Sequence, residues 1–597
     1  MAKEFFLCYY GDIMNTNVVQ YSIAEQTARQ AITSAITQAL NTSDFNDTLE
    51  IVYPPDSAFG DFSVPCFAMA KQLKRQPVDL ARDIAEKIKP DGVIDHAQPA
   101  GPYVNIFINQ AAYTKLVLSE IAKAKSAYGK NKYGVGKRVM VEYFSPNTNK
   151  PLTIGHVRNI CLGASVVNLL KFTGHKVMTG TLYNDRGIAI AKTILGYQKW
   201  GNNKTPVQAQ MKPDHFVGSF YVQFAQAEKQ DKNLEQEAQR VLQAWENDDR
   251  MVRKTWERLM QWVLQGFKIT IKKLGIEGFN EEYYESEYYH EGKKVVDKGL
   301  AQGIFKRGSD GVIFAPLEKY GLADKVLLRP DDTSLYVTQD LYLAYLKNRH
   351  RLDSSIYVVG SEQDLYFKQL FKILELLGFS HAKEYHHLSY GMVRLPHGKI
   401  KSREGLAQGT AADELISVLE ALAREEVQTR FSELSATEIE ARASAIALSA
   451  LKFYILQVSP KTTIVFDPKQ SLAFNGKTGP YVQYTYARIA SIFAKEKVKP
   501  TTRVDVTTIT TDEEFSLVKQ LARFPLAVST AVTSYNPADV ANYLYELAQQ
   551  FSLFYEKHPV LKADEQTKNA RLLLLKDVQI VLGTGLMLLG IPPIEQM

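Results

Sequence analysis

The sequence predicts a multidomain α/β chain, with a parallel-sheet domain in the middle, an α+β domain before it and an all-α domain after it. Three observations carry this. The chain has 597 residues, well beyond the roughly 100–200 that one domain usually holds. From Lys137 onward a buried apolar strand, a polar loop, a long helix and a second strand succeed one another, which is the βαβ unit of a parallel sheet. Beyond about residue 430 almost every segment is helical.

The first domain is read over residues 1–135. Helices are expected at about 19–45, from Phe67 to Leu73 and at 78–88, where Val78, Leu80, Ala81, Ile84 and Ile88 recur at three-to-four spacing. Tyr103-Val-Asn-Ile-Phe-Ile108 alternates like a strand. A Gly/Lys-rich stretch from Tyr128 to Lys137 links this domain to the second. Residues 1–13 are expected to be an upstream extension of the reading frame, because their short apolar stretch has no cleavage-site pattern after it and Met14 opens a more ordinary polar start.

The second domain is read over residues 136–430. Val139-Met-Val-Glu-Tyr-Phe144 is a buried strand, Ser145 to Thr153 a proline-bearing loop, and Gly155-His156 opens a helix that runs through Leu170. Gly174 stops that helix, and Lys176 to Leu182 is the next strand, so the domain is Rossmann-like. Residues from about 200 to 300 carry all four tryptophans and look mainly helical, with Val252, Trp256, Leu259, Val263 and Phe267 on one face. They read as an insertion between two halves of the sheet, which resumes with the strand Ser355 to Val359, ending in Gly360. The third domain, 431–597, is all helical.

Composition excludes several classes. With 71 basic and 65 acidic residues the net charge is +6, too weak to prove nucleic-acid binding but no obstacle to local basic patches. Cys8, Cys66 and Cys161 are dispersed, so neither a metal site nor a disulfide framework is expected, and a reducing cytoplasm suits them. The longest apolar runs fall well short of a membrane span.

Two segments carry chemistry. Ser145 to His156 lies where a parallel strand hands over to a helix, the edge at which open α/β sheets bind ligands. The helix N-terminus offers free N–H groups to a phosphate. Gly155 lets a nucleotide approach closely, His156 can donate to phosphate oxygens, and Lys150 adds a full charge. Far downstream, Gly398-Lys-Ile-Lys-Ser-Arg-Glu-Gly405 puts three cations within five residues, between glycines. Such a loop can neutralise a departing pyrophosphate; by itself it can equally be a solvated turn.

Together they resemble the paired ATP signatures, HIGH-type and KMSKS-type, of class I aminoacyl-tRNA synthetases. The string SPNTNKPLTIGHVRN, from Ser145 to Asn159, is similar to arginyl-tRNA synthetases in particular. The resemblance runs from about residue 20 to Met597. It implies an arginine–tRNA ligase that uses ATP with Mg2+, L-arginine and tRNA(Arg), activates arginine only with tRNA bound, and works as a monomer. Thr153, His156, Lys150, Lys399, Ser402 and Arg403 then form the catalytic set, and Gly155, Lys401, Met392 and Val393 join His156 and Lys399 around ATP. Two positions depart from the pattern. Thr153 replaces the first histidine of the HIGH-type signature, and Ser402 replaces the second lysine of the other, with Lys401 one place early. Lys150 is expected to supply the missing charge.

A guanidinium needs a planar anionic partner. Tyr336 and Asp340 are four apart and share a face if the segment is helical. On spacing alone they can equally be an exposed pair; the resemblance makes them the arginine side-chain contacts. It also implies that Glu142 and Asn147, with Ser145, hold the substrate's α-amino group and main chain, and that Gln363 is a further guanidinium contact. Asn184-Asp-Arg-Gly187 resembles another active-site motif, though Asp185 can simply cap the following helix.

For tRNA, the residues from Gly476 to Arg488 interleave three tyrosines with cations, which suits stacking on splayed bases; Tyr484 is the contact expected there. The aromatic cluster from Tyr543 to Tyr555 is expected to be mostly core. Ala100-Gly-Pro-Tyr-Val-Asn105 resembles the family's elbow-reading module, with Tyr103 and Asn105 on one strand face, stacking on and bonding one base. Alternatives remain. A cysteinyl-type enzyme would want clustered cysteines, and a glutamyl- or glutaminyl-type enzyme should lack the Tyr336/Asp340 pair. A non-catalytic tRNA-binding paralogue predicts loss of His156, Lys150 or Lys399, and all three are present.

Overall fold

The computed structural model describes residues 20–45, 48–331, 333–394, 411–496 and 504–597. The proposed extension 1–13, Cys8 and the basic segment with Lys399, Lys401, Ser402 and Arg403 lie outside them.

The N-terminal α+β unit comprises α1 (Ile23–Leu40), β1 (Phe62–Pro65), α2 (Phe67–Leu73), α3 (Pro77–Lys87), β2 (Ile94–Ala100), β3 (Tyr103–Ile108) and α4 (Gln110–Ala124). Its sheet is antiparallel, in the order β1-β3-β2. Ser22 caps α1 by accepting from the Glu25 amide, and Asn41 closes it in the left-handed conformation.

The middle of the chain builds a five-stranded parallel sheet. β4 (Arg138–Glu142) leads through a loop to α5 (Ile154–Phe172) and β5 (Lys176–Tyr183), and then comes α6 (Ile188–Trp200). Helices α7 (Pro213–Glu228), α8 (Asn233–Glu246) and α9 (Arg250–Lys273) form the insertion. The sheet gains β6 (Glu281–Tyr284) directly after it, followed by α10 (Glu285–Tyr288) and α11 (Gly292–Ala301). The expectation that the sheet resumes only near Ser355 is therefore corrected: β6 pairs in parallel with β5 at the sheet edge. Its residues, Glu-Glu-Tyr-Tyr, neither alternate nor form an apolar run, so nothing marks them as a strand.

An unanticipated antiparallel sheet of β7 (Lys306–Arg307), β8 (Ile313–Ala315) and β9 (Lys325–Leu328) precedes α12 (Tyr336–Asn348). Next come β10 (Ser354–Gly360), α13 (Asp364–Leu376), β11 (His386–Tyr390) and the short β12 (Val393–Arg394). The main sheet has the order β11-β10-β4-β5-β6. The chain thus runs outward from β4 in one direction through β5 and β6, and in the other through β10 and β11. The switch lies between β4 and β10, and a crevice opens at the carboxyl ends of strands at such a point.

The C-terminal region is helical: α14 (Ala412–Arg430), α15 (Ala436–Leu456), then, after the two-residue β13 (Ile464–Val465), α16 (Pro468–Ser471), α17 (Gly479–Glu496), α18 (Asp512–Ala522), α19 (Phe524–Thr533), α20 (Ala538–Lys557) and α21 (Glu565–Leu588). Tyr543, Phe551 and Phe554 are buried in its core, as expected, while Tyr555 reaches the surface. The three regions are tied together. Lys519 pairs with Asp61 at 2.8 Å, and the Arg523 guanidinium lies 4.2 Å from the Tyr53 ring centroid. The last carbonyls of α21 are captured from the sheet side, where the Ser165 hydroxyl of α5 donates to Leu588 at 3.0 Å.

Candidate active site

Residues 143–153 leave β4 through a backbone position that the sequence did not flag. Phe144 has φ +68, the left-handed region that a bulky residue rarely enters. It is fully buried, its amide donates to the Asn159 side chain, and its carbonyl accepts from the Thr181 hydroxyl. Asn159 also donates to the Val358 carbonyl of β10. This one side chain therefore fixes the exits of both strands at the switch point. Beyond it Thr148 donates from amide and hydroxyl to the Asn184 carbonyl, at 3.2 and 3.0 Å, so the loop tracks the end of β5.

Thr153 caps α5. Its amide donates to His156 Nδ1 at 3.0 Å. Nδ1 is therefore the acceptor, and the ring proton sits on Nε2. Burial, with the charge of Lys150 adding to it, pushes the imidazole down to about 4. His156 is thus a neutral donor at neutral pH, not a cation. Burial likewise lowers the Lys150 ammonium from its ordinary value. A Cβ on Gly155 would meet only Thr153 Oγ1, at 3.6 Å, so the approach to this backbone is open. The insertion braces the loop from behind: a Cβ on Gly218 of α7 would lie 2.5 Å from Pro151 and 3.3 Å from the Lys150 Cα.

The ends of the basic segment converge here. The Arg158 guanidinium, fully buried on α5, donates to the carbonyls of Gly391 at 2.8 Å, Met392 at 3.3 Å and Pro460 at 2.7 Å. On the far side Ala411 bridges to Thr153, and the Ala412 amide donates to the Leu152 carbonyl at 2.9 Å. Of the two residues assigned to ATP there, Met392 is exposed and Val393 is buried in β12.

The crevice at the switch point is a cleft of about 860 Å³. Glu142, Ser145, Asn147, Tyr336, Asp340 and Gln363 all line it. Tyr336, the first residue of α12, is 77% exposed at the rim, with Asp340 one turn deeper. The Tyr366 hydroxyl donates to Asp340 Oδ2. Burial, reinforced by the charge of Glu142, pushes the Asp340 carboxyl up to about 6 against that bond and the pull of Lys347. Glu142 is buried and pairs with the Lys347 ammonium. The sequence reading missed Lys347 and Tyr366. Lys347 lies seven residues after Asp340, two helical turns on, and that spacing was the available signal.

Asp185 does not cap the following helix. Its two oxygens accept from the Ser286 amide at 2.8 Å and hydroxyl at 2.6 Å, while its carbonyl accepts from the Trp256 indole at 2.7 Å. With Arg186, which pairs with Glu246 at 2.6 Å, it joins the insertion to the sheet. Among the described residues Asp214, His215 and Asp413 bring carboxylates and an imidazole together. The Lys212 ammonium already lies 3.0 Å from Asp214 and 2.9 Å from Asp413, in the position a metal would take.

Of the positions expected to meet tRNA, Tyr484 lines a second cleft, of about 620 Å³, with Arg488, Tyr555 and Met597. The Arg488 guanidinium donates to the Tyr484 hydroxyl at 2.7 Å and lies over both rings. Tyr103 is exposed beside the exposed ring of Phe67. Asn105 is 5% exposed and its Oδ1 accepts from Ser63 at 2.7 Å, so its carbonyl oxygen is already engaged.

Phosphate donors at one helix N-terminus and an anionic cleft on the same sheet edge are what an enzyme needs to join a cationic amino acid to a nucleotide. On this sheet, with a helical domain behind it, they define a class I aminoacyl-tRNA synthetase. The family model "tRNA synthetases class I (R), catalytic domain" matches residues 117–467, "Arginyl tRNA synthetase N terminal domain" matches 26–108, and "DALR anticodon binding domain" matches 482–597. The arginine–tRNA ligase of Treponema pallidum is 40% identical over 91% of this chain and 94% of its own. That of Parabacteroides distasonis is 36% identical over 96% and 100%. The solved arginyl-tRNA synthetase of Thermus thermophilus is 27% identical, covers 95% of this chain and 100% of its own, and superposes with a TM-score of 0.79. The chain belongs to the arginyl-tRNA synthetase family, and its activity is that of an ATP-dependent arginine–tRNA ligase.

Proposed function

We propose that the 860 Å³ cleft holds L-arginine and that the α5 N-terminus holds the phosphates of ATP. One observation carries this reading: six residues from separate segments, chosen for arginine, line a single cleft at the sheet's switch point. Asp340 takes the guanidinium with Gln363 beside it, and the Tyr336 ring packs on the alkyl stem. Glu142, Ser145 and Asn147 hold the α-amino group and main chain. The substrate carboxylate then attacks the α-phosphorus, and pyrophosphate leaves. His156 donates from Nε2 to a phosphate oxygen, with Thr153 and Lys150 adding a hydroxyl and a charge. Lys399, Lys401, Ser402 and Arg403 are assigned to the departing pyrophosphate from the sequence, supported by the positions of Arg394 and Ala411. Mg2+ enters with ATP as part of the substrate. The terminal ribose hydroxyl of tRNA(Arg) attacks the adenylate carbonyl, and AMP leaves. No side-chain nucleophile takes part; positioning and electrostatics lower the barrier.

The same reading puts a splayed base in the Tyr484 cleft and the tRNA elbow on Tyr103 and Asn105. Domain limits of 1–135, 136–430 and 431–597, a monomeric state and a cytoplasmic location complete the proposal. ATP–pyrophosphate exchange with each amino acid, with and without total tRNA, tests it. Exchange with arginine alone, and only with tRNA, is expected. Exchange driven by another amino acid would remove the roles given to Tyr336 and Asp340.

A further inference from the structure

Three charged residues that line the arginine cleft have no part in the proposed reaction, Asp324, Lys325 and Lys347, and of these Lys347 alone is buried. Lys347 is 2% exposed, on the Asp340 face of α12. Its ammonium pairs with Glu142 at the end of β4 and lies 4.1 Å from the Tyr357 ring centroid on β10. Asp340, Glu142 and Lys347 line the same cleft. Phenols complete the surroundings: Tyr283 on β6, Tyr288 on α10, Tyr357 on β10, Tyr366 on α13 and Tyr385 before β11. Burial pushes all five hydroxyls up, so they stay neutral. Burial would also pull the ammonium down, yet Glu142 and the Tyr357 ring carry it above its ordinary value. The floor therefore holds two carboxylates and one ammonium, a single net negative charge against the single net positive charge of arginine, whose α-ammonium is offset by its own carboxylate. Take the ammonium away and two neighbouring buried carboxylates face a substrate of only one net positive charge, and none at all before it binds, which the low dielectric penalises.

We infer that Lys347 is a positioning residue that sets the charge of the arginine cleft: by neutralising Glu142 it leaves Asp340 as the one anion for the guanidinium. This rests on the reading of the cleft as the arginine site. In Lys347→Met, Glu142 is left buried beside Asp340 without a cation and holds a proton that arginine must displace. Arginine binding in that variant therefore tightens as pH rises.

The test is tRNA-supported ATP–pyrophosphate exchange by the full chain. In Lys347→Met the KM for arginine should rise about tenfold, while the KM for ATP stays within about twofold of the parent. That KM for arginine should keep falling between about pH 7 and 9, where the parent's has levelled. Equal rises in both KM values, or the parent's pH profile, would overturn the inference. Should Lys347→Met not fold, Lys347→Arg carries the test. It keeps the charge, so the parent's pH profile is expected, and a new step above about pH 7 would overturn the inference. Asp340→Asn, measured alongside, separates the two readings. No change in its KM for arginine removes the arginine site itself; a rise there with none in Lys347→Met removes only the role of Lys347.

Discussion

At the proposed phosphate site Lys150, Thr153, Gly155 and His156 stand within one short loop and helix start; in the proposed arginine cleft Glu142, Asn147, Tyr336, Asp340 and Gln363 come from distant parts of the chain. The two ends also handle charge differently. The proposed phosphate site offers an anion backbone N–H groups and a neutral imidazole, and burial takes little away from such groups. The proposed arginine site offers a cation buried carboxylates, and those need counter-charges and donors from several elements. Lys347 and Tyr366 are those groups. The comparison teaches that a helix N-terminus can be built locally, whereas a buried anion has to be supported by the whole fold.

Substitutions should separate the ends. The largest effect is expected from Asp340→Asn, which removes the charge facing the guanidinium. KM for arginine should rise roughly a hundredfold or more, with KM for ATP unchanged in the same exchange assay. His156→Ala should do the reverse, lowering kcat for exchange by about a hundredfold and barely moving KM for arginine. Lys150→Ala should cost roughly tenfold in exchange, while tRNA binding, measured by filter retention, stays at the parent's level. Equal exchange by mutant and parent would remove Lys150 from the phosphate site.

Acid should affect the arginine end first. Asp340 is held up to about 6, must be ionised to bind a guanidinium, and takes a proton below that value. kcat/KM for arginine should therefore fall as pH drops through about 6, by up to tenfold per pH unit, and the fall should disappear in Asp340→Asn. His156, already neutral, adds no step there. The smallest effect is expected at Tyr484→Ala. Loss of one stacking ring should raise KM for tRNA about fivefold and leave the exchange KM values for arginine and ATP alone.

This contrast also explains what could be read from the sequence. The phosphate end was legible because its groups form one string between a strand and a helix. Of the six arginine-cleft residues, Tyr336 and Asp340 had a chemical argument that spacing alone left open, and the resemblance supplied their role and the other four residues. Lys347, Tyr366, Arg158 and Asn159 were not, since each acts through a partner that only the tertiary fold supplies: Glu142, Asp340, the carbonyls around Gly391, and the Phe144 amide. Phe144 itself looked like the last residue of an apolar strand, yet it turns the chain in the left-handed region. β6 was hidden because a four-residue edge strand, Glu-Glu-Tyr-Tyr, shows neither alternation nor an apolar run after a helical insertion. The role of Asp185, left open between a helix cap and a site residue, was hidden because its partner, Ser286, lies across that insertion.

The most direct test of the central claim uses citrulline, which has the shape of arginine without its charge. Competition of citrulline with arginine should be measured in tRNA-supported exchange, for the parent and for Asp340→Asn. If Asp340 is the anion that reads the guanidinium, the parent prefers arginine by roughly a hundredfold or more and the variant by only a few-fold. An unchanged preference in the variant would contradict the account, and the arginine site would have to lie elsewhere.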